Sequence, residues 1–200
     1  VAASQSGIST GSANPVTVPT GLFGHTYVIN ENQQEGYDLT NVDCGDEKFI
    51  QLGDYISVFA TKGENIVCTL TNSKRASLTV TKDAQPDSDT KFDFRLTWGK
   101  HEHTMSNFQL QDTGDEDGNN SKTFSLKAGT YSVFEENLPE GWNLSDISCG
   151  ETETEVWGNQ VTLDVKTGDE INCTFTNKQD NTVVVHKYED LNRNGQYDES

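Results

Sequence analysis

Short runs in which apolar and polar residues alternate recur along the chain, at Leu78–Thr81, Phe92–Leu96, Thr123–Leu126, Tyr131–Phe134, Val161–Val165 and Ile171–Phe175. A period of two places every second side chain on the same face of an extended strand. Each run is bounded by Gly, Pro, Asn or Asp, the residues that close strands into turns. No window carries a helical period for more than two turns. The pattern predicts an all-β chain whose short strands, joined by loops, form a β-sandwich or Greek-key architecture.

The pattern also repeats. Ile66–Asn72 reads IVCTLTN and Ile171–Asn177 reads INCTFTN. Around each lie the same features in the same order. Tyr27 to Glu31 corresponds to Tyr131 to Glu135, Gly36-Tyr37 to Gly141-Trp142, Cys44-Gly45 to Cys149-Gly150, and Gly63-Glu64 to Gly168-Asp169. The opening strands correspond as well, Ser77–Lys82 recurring as Thr182–Lys187. A period of this length exceeds the roughly 20 to 45 residues of a solenoid unit and suits independent small domains in series. The expected division is 1–75, a first β-sandwich repeat with an atypical or incomplete N-terminal part; 76–178, a complete repeat; and 179–200, the first strand of a next repeat or a strand donated to a neighbouring subunit.

Composition narrows the function. Only 32% of the 200 residues are apolar, which small two-layer β domains tolerate. The net charge of −18 argues against nucleic acid and anionic membranes as partners, because both are bound through clustered Lys and Arg. It suits a highly soluble surface or one that meets divalent cations. No apolar run approaches the roughly 20 residues of a membrane span. The N-terminal VAASQSGISTGSANP has neither a basic nor an apolar signal region and reads as a processed or excised start.

The four cysteines fall as Cys44, Cys68, Cys149 and Cys173, equally spaced within each repeat. Four cysteines permit three pairings. Only Cys44 with Cys68 and Cys149 with Cys173 respects the duplication. Zinc is disfavoured, since each repeat offers two thiols and no CxxC. Disulfides imply an oxidising, extracellular or cell-surface location.

Lys82-Asp83-Ala84-Gln85-Pro86 with Phe92-Asp93-Phe94, Leu126-x-x-Gly129-x-Tyr131-x-Val133-x-Glu135, Gly141-Trp142-x-Leu144 and Cys173-Thr-Phe-Thr-Asn177 together resemble the prealbumin-like (CnaB-type, SpaA-like) repeat domains of bacterial surface proteins, pilins and adhesins. The resemblance covers Ala76 to Lys178 and about two-thirds of the preceding repeat. It implies tandem Ig-like or transthyretin-like β-sandwich domains acting as stalk or shaft modules. It also implies a spontaneous isopeptide bond from Lys82, on the first strand, to Asn177, on the last, assisted by Glu135. Glu31 is the equivalent glutamate in the first repeat. Such chemistry requires these residue types: a lysine made nucleophilic by desolvation, a glutamic acid kept protonated by burial, and a carboxamide held in contact with both. The bland alternative is that all three are solvent-facing residues near strand ends.

The first repeat has Glu31 and Asn72 but no Lys-bearing strand in the pattern, whereas Thr182–Lys187 is such a strand without a domain. One expectation is head-to-tail complementation, with Lys187 and Asn72 joined between subunits of a homopolymer. The other is that the chain is a window from a longer array of neighbouring repeats. Asp190, Asn192, Asn194 and Asp198, with Gly195, resemble the start of a calcium loop, against which stands a plain Asx-rich turn. His101 and His103 flank Glu102 without a third ligand type nearby, and Asp112–Asn119 reads as an acidic hairpin loop.

No GxSxG, HExxH or phosphate-binding glycine loop is present. The chain is therefore expected not to be an enzyme, apart from a single-turnover crosslink within itself. The expected function is structural, in an extracellular stalk, pilus or filament. An adhesin module gripping carbohydrate or protein through its loops is the alternative, and an accessory domain of an extracellular enzyme is a third class.

Overall fold

Fourteen strands and no helix make up the described part of the chain, which in this computed structural model comprises residues 24–45, 49–53, 55–114, 119–187 and 193. Two units divide it: Val1–Ala76 with Ser125–Ala128 and Lys166–Asp169, and Ser77–Phe124 with Gly129–Val165 and Glu170–Ser200. The fold is the expected all-β sandwich.

In the first unit, β1 (His25–Asn30), β4 (Tyr55–Ala60) and β3 (Phe49–Leu52) form an antiparallel sheet in that order, and β2 (Tyr37–Asp43) pairs with β5 (Thr69–Lys74). Val42, Cys44, Ile56 and Val58 are buried, with Ile29, Leu39, Phe49, Ile66, Cys68 and Leu70 packed against them but only partly covered. Cys44 is bonded to Cys68.

The second unit is a nine-stranded sandwich. Its strands are β6 (Ala76–Gln85), β7 (Ser88–Trp98), β8 (His103–Asp112), β9 (Ser121–Leu126), β10 (Gly129–Glu136), β11 (Trp142–Ser148), β12 (Thr154–Trp157), β13 (Gln160–Val165) and β14 (Glu170–Gln179). One sheet runs β12-β13-β10-β7-β8 and the other β11-β14-β6-β9. The pairing of β6 with β14 is parallel, which joins the first strand of the domain to its last in the middle of a sheet. Cys149 is bonded to Cys173.

The alternation seen in sequence is the core. Leu78, Val80 and Ala84 on β6, Phe92, Phe94 and Leu96 on β7, Val133 on β10, Val161, Leu163 and Val165 on β13, and Ile171 and Phe175 on β14 are each at most 3% exposed. Trp142 is also buried, edge-on to Phe92 at 5.3 Å between centroids.

The repeat extends to backbone detail. Each unit has a register shift in its β2- or β11-type strand, between Leu39 and Asn41 and between Leu144 and Asp146. Gly36 and Gly141 both adopt φ of 78°, a left-handed conformation that favours glycine, and their carbonyls accept 2.7 Å hydrogen bonds from the amides of Arg75 and Asp180. Thr182–Lys187, expected as a strand, is exposed and joins no sheet among the described residues. Asp190, Asn192, Asn194 and Asp198 lie outside the described residues.

Candidate functional site

Three polar side chains are sunk into the core of the second unit. Strand parity puts Lys82 inward because Leu78, Val80 and Ala84 on the same strand face the core. The same logic puts Asn177 inward with Ile171, Cys173 and Phe175, and Glu135 inward with Tyr131 and Val133. Phe175 lies opposite Lys82 across the parallel pair, and Asn177 lies opposite Ala84. Asn177 is thus one inward position along from the lysine on the adjacent strand. Glu135 reaches them from the facing sheet, where β10 is the central strand. The exposures of Lys82, Glu135 and Asn177 are 1%, 0% and 0%.

Lys82 Nζ stands 4.0 Å from Glu135 Oε1. The amine also donates to the backbone carbonyls of Asp83, at 2.8 Å, and Phe175, at 3.0 Å. The ring of Phe92 closes the remaining side, its centroid 4.3 Å from Nζ. Phe94, paired with Glu135 across β7 and β10, meets Phe175 edge-on at 5.2 Å. The rings of Phe92, Phe94 and Phe175 thus line the group.

Burial governs the ionisation of both charged groups. Desolvation lowers the Lys82 pKa to about 8, against the opposing pull of the carboxylates of Glu135, Asp83 and Asp112. Desolvation raises the Glu135 pKa, with Lys82 and then the Asn177 side chain acting the other way. Glu135 and Asn177 are within reach of one another yet share no aligned hydrogen bond: both carboxylate oxygens and both carboxamide atoms lack a hydrogen-bond partner. An amine able to lose its proton, a carboxyl group inclined to keep one and an unengaged carboxamide therefore sit together out of water. That is the combination needed for acyl transfer from the amide to the amine.

The first unit holds the corresponding pair without a lysine. Asn72 Nδ2 donates to Glu31 Oε1 at 2.5 Å, and Glu31 Oε2 has no partner. Asn72 is exposed, unlike Asn177.

The other sequence candidates separate. His101 and His103, 6.2 Å apart, are exposed on the β7–β8 connection and its start, with Trp98 5.6 Å from His103. Among the described residues no group of three His, Cys, Asp or Glu could hold a metal. Asp112, at the edge of the acidic loop, accepts a hydrogen bond from the amide of Ala84. A feature missed in the sequence is the pair of backbone carbonyls that hold the Lys82 amine, for which no side-chain signal exists.

The chain belongs to the family of prealbumin-like fold domains, whose model matches residues 78–179. Among solved structures it is similar to a bacterial adhesin from Mobiluncus mulieris containing intramolecular disulfide, isopeptide and ester bond cross-links, at 10% identity and a TM-score of 0.40, over 68% of this chain and 56% of that one. It is similar to the major pilin from Streptococcus pyogenes at 18% identity and a TM-score of 0.39, over 80% and 72%. It is similar to the Bacillus anthracis TIE protein at 17% identity and a TM-score of 0.39, over 78% and 25%. The chain spans just over half the length of the adhesin. No curated protein matches it.

Proposed function

We infer that this chain is a structural module of an extracellular or cell-surface array, a stalk, pilus shaft or filament built of β-sandwich domains in series, in which Lys82 and Asn177 become joined by an amide bond. The observation that supports this reading is the burial of Lys82, Glu135 and Asn177 together in an otherwise apolar core. As a stabilising ion pair the arrangement is poor. Desolvating two charges costs several kcal/mol each, and a 4.0 Å contact with both carboxylate oxygens unsatisfied returns little of it. As a reaction centre it is apt.

The step balances within the three residues. Protonated Glu135 donates to Asn177 Oδ1 and polarises the carboxamide. The neutral Nζ of Lys82 attacks Cγ, a proton passes from Nζ through Glu135 to Nδ2, the Cγ–Nδ2 bond breaks and ammonia leaves. A pKa of about 8 leaves about a tenth of the amine neutral at pH 7, two to three orders of magnitude more than for an ordinary lysine. Fixed proximity supplies an effective molarity of about 10⁵ M or more. The bond ties the first strand to the last, so a pulling force passes through covalent links.

Single-molecule stretching of the reduced chain tests the role directly. The expected trace lacks extension from the residues between Lys82 and Asn177, whereas full extension of the second unit would refute a covalent shaft.

A second reading, an adhesin module, is favoured by Trp157, 84% exposed, and Trp98, 53% exposed. They belong to opposite ends of the sheet, since Trp157 is in register with Gln160 and Phe134 and Trp98 with Tyr131. That separates them by about 10 Å along the strands and about 14 Å across them, so they form no common platform. Calcium held by Asp190, Asn192, Asn194 and Asp198 would stiffen the following segment. A calcium-dependent rise in melting temperature, abolished by Asp190→Ala, would support that role, and an unchanged melting temperature would refute it.

A further inference from the structure

The outward side of the three-stranded sheet in the first unit is apolar. Ile29, Phe49, Ile56 and Val58 face the core, and strand parity turns the residues between them the other way. Those outward residues are Thr26, Val28 and Asn30 on β1, Ile50 and Leu52 on β3, and Tyr55, Ser57 and Phe59 on β4. None of them is charged. Val28, Ile50, Leu52, Tyr55 and Phe59 are 62%, 65%, 71%, 58% and 44% exposed. They are neighbours rather than scattered. Val28 and Ile50 flank Ser57 in one cross-strand row, Tyr55 and Leu52 are paired in the next, and Phe59 lies opposite Thr26 on the other side. Taking about 150–200 Å² for a large side chain, the five together present about 450–600 Å² to water, the size at which an exposed apolar patch usually has a role.

The fold does not require this face to be apolar. The second unit repeats the three strands in the same register, with Ser132, Thr162 and Glu155 where the first has Val28, Ser57 and Ile50. Gln160 and Trp157 stand for Tyr55 and Leu52, and Asp164 for Phe59. Only Leu52 keeps an apolar counterpart.

Charge selects the occupant. The chain carries a net charge of −18, so charged faces of two copies repel one another, and anionic lipid is repelled too. An uncharged face is where two copies can meet. Matched face to face, they would withdraw about 900–1,200 Å² from water, close to the roughly 1,000 Å² that a specific interface needs. We propose that the outward face of β1, β4 and β3 is a pairing surface for a second copy of this chain, the same patch on both copies meeting about a two-fold axis. The two sheets stack about 10 Å apart, as in a β-sandwich. An interface of this size is weak and reversible.

Sedimentation velocity of the full chain over a concentration series, at low and high salt, tests the pairing, with hydroxyl-radical footprinting of the same samples. A monomer–dimer equilibrium that tightens as salt screens the net charge is expected, with Tyr55 and Phe59 becoming protected as concentration rises. Ile50→Glu combined with Phe59→Asp, which installs the residues that the second unit carries at these positions, should leave a monomer at every concentration with an unchanged circular dichroism spectrum. Tyr55→Gln alone should weaken the dimer about tenfold or more, since each substitution enters the interface twice. Asn177→Ala should pair like the parent chain, because the face contains no residue of the second unit and owes nothing to the Lys82–Asn177 bond. A chain monomeric throughout, a dimer indifferent to the substitutions on this face, or a dimer lost in Asn177→Ala would overturn the proposal. So would protection of Tyr55 and Phe59 that is independent of concentration, the sign of a face covered by its own chain.

Discussion

Lys82 and Glu135 meet from the inner strands of opposing sheets, Nζ 4.0 Å from Oε1, with both side chains sealed from solvent. Each alone would be an expensive burial, and in the proposed crosslinking they act together as a proton-transfer pair beside a carboxamide. Replacing Glu135 by Gln keeps the volume and removes the proton carrier. Formation of the Lys82–Asn177 bond in freshly refolded Glu135→Gln is expected to slow by about 10²- to 10⁴-fold, as measured by ammonia loss over time in intact mass spectra.

The pH dependence of the uncrosslinked domain carries the signature of the lysine. In Asn177→Ala, Lys82 remains free, with a folded pKa of about 8 against an ordinary 10.5. Between those values the unfolded chain binds more protons than the native one, so the lysine's contribution to stability rises with pH, by an amount on the order of 2–3 kcal/mol by pH 10.5. Glu135 acts in the opposite sense at lower pH: its raised pKa means the native state keeps a proton that the unfolded state gives up, and stability falls as pH climbs above the ordinary glutamate value. Urea unfolding at pH 7.5 and pH 10, with Lys82→Met in the same background as reference, should show the alkaline gain only where Lys82 is present.

The two covalent staples are expected to overlap. Opening the 24-residue separation closed by Cys149 and Cys173 should destabilise Asn177→Ala by about 3 kcal/mol. In a chain carrying the proposed amide bond the effect should be smaller, because that bond would already tie the closing strand and neighbouring constraints do not add. Denaturant midpoints of the Cys149→Ser, Cys173→Ser pair in both backgrounds measure the difference.

Phe92 contacts both the amine and Trp142. Phe92→Ala should destabilise the domain by about 3–5 kcal/mol through the cavity it leaves, and should slow crosslinking by admitting water to Lys82. By contrast, Trp157→Ala, at an exposed sheet edge, should shift stability by no more than about 0.5 kcal/mol.

Much of this was legible in the sequence because two signals are physically rigid. Alternation fixes which side chains of β6, β10 and β14 face inward, but the runs legible in sequence stop short of Lys82, Glu135 and Asn177, and only the family resemblance brought those three together there. The repeat fixed the cysteine partners. Where alternation fails, the strands were not seen: β8 is an edge strand with only Phe108 and Leu110 buried, and in β11 the register shift between Leu144 and Asp146 breaks the period of two. The short β12 has no buried residue to mark it. That β5 begins only at Thr69, paired with β2 alone among the described residues, was illegible for a different reason. Ile66–Asn72 reads like Ile171–Asn177, and only the neighbouring strand decides whether such a segment becomes a continuous strand.

The central claim is a covalent bond, and mass decides it. The fully reduced, denatured chain is predicted to weigh one ammonia less than its sequence for the Lys82–Asn177 bond, with the loss mapped to a peptide joining Lys82 to Asn177 and absent from Lys82→Met and Asn177→Ala. An unmodified mass, with Lys82 and Asn177 recovered in separate peptides, would contradict the account and leave the Cys149–Cys173 disulfide to reinforce the domain without it.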